Sequence, residues 1–92
     1  MKYKLNKNMY YRFENNIDNG TFIIFDIENE LVHGMTVNFK ILVESINNNL
    51  SESEMITIFK YKYSELSKVE IEQSLKIMIK KLVQLNFLLG EW

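Results

Sequence analysis

The chain has 92 residues, a net charge of −1, no cysteine and no proline, and 47% of it is hydrophobic. That composition suits a single domain with its own core and excludes disulfides, thiol nucleophiles and iron–sulfur ligation. No run approaches the ~18 consecutive apolar residues of a membrane span, and the near-neutral total argues against nucleic acid, whose phosphates call for a concentrated basic surface.

The opening "MKYKLNKNMYY" is basic but lacks an apolar centre and a small-residue cleavage site. It reads as a polar lead-in and not as a signal peptide, which makes the cytoplasm the expected location. "MYYRF", Met9–Phe13, is short and aromatic and predicts a strand. "NNIDNG" is a turn cluster, with Asn19–Gly20 a favoured hairpin dipeptide. "TFIIFD", Thr21–Asp26, holds β-branched and aromatic residues up to its closing Asp and predicts the strongest strand. "IENE" is a second turn, and "ELVHGM", Glu30–Met35, predicts a third, weaker strand. Together these make an antiparallel three-stranded meander.

Thr36 reads as an N-cap for a helix to about Ile46, with Val37, Ile41, Leu42, Ser45 and Ile46 on one side. Ser51 and Glu54 form a capping box for a second helix, whose apolar face is Met55, Ile58 and Phe59. Ser67 and Glu70 repeat the box for a third helix to about Leu85. Its stripe is Ile71, Leu75, Met78, Leu82 and Leu85. Ile79 and Val83 flank that stripe among Glu72 and Lys76, and Ile77 stands alone on the other side. Asn86 can end the helix, and "FLLGEW" follows as an apolar tail. The order β-β-β-α-α-α predicts an α+β fold with a winged helix-turn-helix shape.

The inventory for catalysis is poor. His33 is the single histidine, and the three glycines, Gly20, Gly34 and Gly90, are isolated. No zinc set, phosphate loop or Ser–His–acid arrangement has the right spacing. An enzyme acting alone, a cofactor and a metal are therefore not expected. A winged-helix DNA-binding regulator is the alternative function. Gln73, Gln84, Lys76 and Lys80 could serve it, but Glu70 and Glu72 at the helix start would meet phosphates badly.

"TFIIFD" is apolar on both alternating faces, Phe22 with Ile24 and Ile23 with Phe25. A sheet covered by helices on one side needs one such face. The second set calls for the chain's own ends, a second copy or a ligand, so a homodimer is a further reading. If "ELVHGM" is an edge, its free backbone groups can pair with an extended peptide.

The ordered set "FIIFDIENELVHGMTVNFKILVESI", "LSESEMITIFKYKYS" and "VEIEQSLKIMIKKLVQLNFL" resembles proteins like pyrroloquinoline-quinone biosynthesis protein D. These PqqD-like proteins are the leader-peptide recognition elements (RiPP recognition elements) of ribosomally made, modified peptides. The likeness covers Phe22 to Leu88. Asp26 fits the family's turn and Ser51–Glu54 its second-helix start. Met35–Thr36 stands where the family has Leu-Asn, and Asn86–Phe87 where it has Gly-Leu. The resemblance implies a non-catalytic, peptide-binding module of natural product biosynthesis. The leader of a precursor peptide would lie antiparallel along the third predicted strand. Backbone pairing would come from Leu31, Val32, His33 and Gly34, and the groove wall from Glu72, Lys76, Ile79 and Val83. A second partner would be a modifying enzyme, such as a radical SAM enzyme, a peptidase or a cyclase.

Overall fold

A computed structural model describes residues 3–16 and 20–90. In chain order the elements are β1 (Lys4–Leu5), β2 (Tyr10–Glu14), β3 (Thr21–Asp26), β4 (Leu31–Thr36), α1 (Val37–Asn47), α2 (Glu52–Lys62), α3 (Lys68–Gln84) and β5 (Leu88–Leu89). β2, β3 and β4 form an antiparallel sheet in that order, and the three helices follow. The fold is α+β and winged-helix-like, with the predicted β-β-β-α-α-α arrangement at its centre. No helix among the described residues is long and apolar enough to cross a membrane.

The polar lead-in is a correction to the sequence reading. Lys4 and Leu5 pair with Leu89 and Leu88, so β1 and β5 make a second, two-stranded antiparallel sheet. Asn6 fastens the junction: its backbone N–H donates to the Phe87 carbonyl at 2.9 Å, and its side-chain amide donates to the Asn86 carbonyl at 2.8 Å. Two-residue strands carry no period of their own, so only the folded chain brings the ends together.

Local chemistry explains the helix limits. Ser51 accepts from the Glu54 N–H at 3.2 Å while Glu54 accepts from the Ser51 N–H at 2.9 Å. Ser67 and Glu70 do the same at 3.1 and 3.0 Å. These bonds, the backbone one first and the hydroxyl second, hold both glutamates below the ordinary carboxylate range. Thr36 has the extended backbone of an N-cap but its side chain makes no capping bond; its hydroxyl donates to the Asn38 side chain instead. At the other end, α1 and α3 close in the same way. Asn49 and Asn86 adopt left-handed backbone, at φ 58° and 61°. The next N–H, of Leu50 and Phe87, then reaches back to the carbonyls of Ser45 and Leu82 at 3.0 and 2.9 Å. Asn serves where Gly is commoner.

The core takes Phe22, Ile24 and Met35 from one sheet face and Leu42, Val43 and Ile46 from α1. Met55 and Phe59 come from α2, and Ile71, Leu75, Met78, Ile79 and Leu82 from α3. Phe87 and Leu88 close it. Ile58 is exposed, contrary to its expected place on the apolar face of α2, and half-buried Ile56 turns inward in its stead. Phe22 and Phe87 meet edge to face with ring centres 6.0 Å apart, and Tyr11 lies 5.4 and 5.5 Å from the two rings. Burying each phenylalanine contributes about 1.5–3 kcal/mol.

The described part of the C-terminal tail therefore covers the inner face of the sheet. On the outer face Ile23 and Phe25 stay half-buried, and Val32 and Tyr10 are exposed. The Arg12 guanidinium lies 5.8 Å from the centre of the Phe25 ring. Asn19, read above as part of a turn, and Trp92, at the end of the tail that could cover the sheet, lie outside the described residues.

Candidate functional site

β4 pairs with β3 in an unbroken register, from Asp26 opposite Leu31 to Thr21 opposite Thr36. Its other side borders no strand among the described residues. The tight β3–β4 turn holds it in place. Asp26 accepts from the Asn29 N–H at 3.2 Å and from the Asn29 side-chain amide at 2.8 Å. Glu30 completes the turn with a left-handed backbone at φ 56°.

Natural edge strands are usually blunted by charge, proline or a bulge. β4 has none of these: it reads Leu31-Val32-His33-Gly34-Met35-Thr36, and its register contains no extra residue. Leu31 is 51% and Val32 66% exposed, while Met35 is buried. In an antiparallel ladder every second residue turns both its N–H and its C=O away from the neighbour it already has. β4 thus offers a row of backbone donors and acceptors beside apolar side chains.

A cleft of about 540 Å³ lies at the C-terminal end of this edge, lined by Gly20, Thr21, Gly34, Met35, Thr36, Phe39 and Lys81. The Lys81 ammonium stands 5.9 Å from the centre of the Phe39 ring. Gly20 is needed here for two reasons. Its φ is +121°, and an added Cβ would come within 2.9 Å of the Phe13 ring. Past Thr36 the surface continues into an apolar cavity of about 370 Å³, with Val37, Phe59, Tyr63, Leu66 and Met78 among its walls.

The structure brings Leu31, Val32, His33 and Gly34 together along one edge. It does not put the expected wall beside them. Lys76, Ile79 and Val83 line a separate depression with Tyr3, Lys80 and Gln84, and Ile79 is 2% exposed and part of the core. Glu72 lines a cleft against α2 and pairs with Lys68 at 3.8 Å. The α3 residue that reaches the β4 cleft is Lys81. It stands about 160° around the helix from Ile79 and Val83, at 3.6 residues per turn. Sequence spacing alone gives two flanks of the α3 stripe and no means of choosing the one that faces β4. Phe39 was missed for a related reason, because an aromatic on the first turn of a helix reads equally as core.

Among the described residues no group of three or more His, Asp or Glu is placed to hold a metal ion. In comparisons with known proteins, no family model, no curated protein and no solved structure matches this chain.

Proposed function

We propose that this protein binds an extended peptide by strand addition along β4, as a non-catalytic recognition module. The observation that carries the reading is the unblunted β4 edge next to the Phe39–Lys81 cleft. Backbone pairing supplies affinity for any extended chain, and pockets beside it select among side chains. The cleft favours a peptide with an acidic side chain near Thr36, within reach of Lys81. The resemblance to leader-peptide recognition elements supports a specific ligand, the leader of a ribosomally made precursor. The protein would then present that leader to a modifying enzyme in the cytoplasm.

The test begins with a displayed library of random linear peptides and continues with a synthetic copy of the enriched sequence. Titration should shift β4 amide signals and protect alternate ones from exchange. Lys81→Glu should weaken binding by about tenfold, the scale of one partly exposed charge contact. Lys76→Glu, in the other depression, should leave it unchanged. Amide shifts confined to the Lys76–Val83 flank would sink the proposal. So would steeply salt-sensitive capture of random duplex DNA with no peptide binding.

A further inference from the structure

The open border of β4 also fits a second copy of this chain. Two copies related by a two-fold axis present the same strand to each other in antiparallel directions. Antiparallel pairing sets outward-facing residues opposite outward-facing ones, and these alternate along the strand. A two-fold register must therefore place some residue of β4 opposite its own counterpart.

The side chains choose which one. With His33 opposite the second copy's His33, Val32 falls opposite Gly34, both on the outer face. Val32 is 66% exposed. Gly34 leaves a gap beside Ile23, its neighbour across β3, and Ile23 is correspondingly half-buried. Val32 of one copy fills the gap of the other. On the inner face Leu31, 51% exposed, falls opposite Met35. Just beyond the strand end, Glu30 in the β3–β4 turn comes to the Thr36 end of the other copy's β4, at the mouth of the cleft where Lys81 stands. Neither Glu30 nor Lys81 has an ion-pair partner among the described residues.

We infer that the chain forms a two-fold dimer through antiparallel β4–β4 pairing, with Val32 seated on Gly34 and Glu30 facing Lys81, each contact made twice. The two sheets join into one of six strands. One six-residue edge falls short of the ~800 Å² per partner of a standard stable interface, so the dimer is weak and concentration-dependent. It uses the border assigned above to the peptide. Mutual exclusion of peptide and second copy rests on that reading; the dimer itself does not.

Sedimentation of the full chain over a concentration series tests it. The wild type should move from monomer to dimer as concentration rises. Gly34→Val should raise the dissociation constant by about tenfold, because it costs two cross-strand contacts per dimer. Its Cβ meets nothing in its own chain closer than the Thr21 methyl at 3.6 Å, so its thermal melt should match the wild type. Glu30→Lys and Lys81→Glu should each weaken the dimer, and the two combined should restore it. A wild type that stays monomeric to its solubility limit overturns the inference, as does a dimer indifferent to Gly34→Val and to both charge reversals. A dimer that passes these tests but takes no library peptide leaves the inference standing and removes the peptide reading. Peptide binding by a strictly monomeric chain does the reverse.

Discussion

The two faces of β3 are nearly equal in sequence and unequal in the fold. Phe22 and Ile24 on the inner face are 1% and 0% exposed, sealed by the helices and by Phe87. Ile23 and Phe25, their alternates on the same strand, are half-buried, with Arg12 stretched over Phe25. Apolar residues on both faces of a strand state a demand for cover without saying where the cover comes from. Here Phe87 goes to the face that already has the helices.

Substitutions on β3 should break that symmetry most plainly. Phe22→Ala should cost about 3–5 kcal/mol, the range for truncating a fully buried phenylalanine. Phe25→Ala should cost about 1 kcal/mol, since much of that ring keeps its water. Urea denaturation of the pair checks the contrast, and equal losses would mean that the outer face is covered. Gly20→Ala, at the entry to β3, should cost about 1–3 kcal/mol through its left-handed backbone and the Phe13 contact.

Smaller effects sharpen the contrast between the sheet and the helices that cover its inner face. Ser67→Ala removes the α3 cap and should cost about 1 kcal/mol, with no change at β4 amides. The capping glutamates add a pH signature. Glu54 and Glu70 have folded values below those of the unfolded chain. Their contribution is therefore complete above about pH 4.3, the ordinary glutamate value, and is lost as acid takes the pH down through the folded values. Between neutral pH and pH about 3, Ser51→Ala and Ser67→Ala should lose less stability than the wild type does. A steeper loss in either variant would mean that the boxes do not set those values.

Much of this was legible in advance because it is local. Ser51 with Glu54 and Ser67 with Glu70 state their caps within four residues, and both boxes form as read. "TFIIFD" coincides with β3. Of the stripe Ile71, Leu75, Met78, Leu82 and Leu85 the first four are buried and Leu85 is half-buried, while Ile77, set apart from it, is 70% exposed. The candidate site was half legible. Leu31 to Gly34 do lie on an edge, because a three-element meander leaves its last strand outermost. Their wall was misassigned because Lys76 and Lys81 look alike in a sequence, and only the roll of α3 against α1 distinguishes them.

By itself, then, the order of residues determined the three strands of the main sheet and the three helices, where the capped helices begin and which stripe of α3 goes inside. Those are decided by contacts a few residues apart, whose cost in chain entropy is small. The folded chain decided that Lys4–Leu5 pair with Leu88–Leu89, that Ile23 and Phe25 on the outer face are half-buried and not sealed, and that Lys81, not Lys76, stands at the β4 border. Each of these depends on groups far apart in sequence meeting at one angle, and no short-range period encodes that angle.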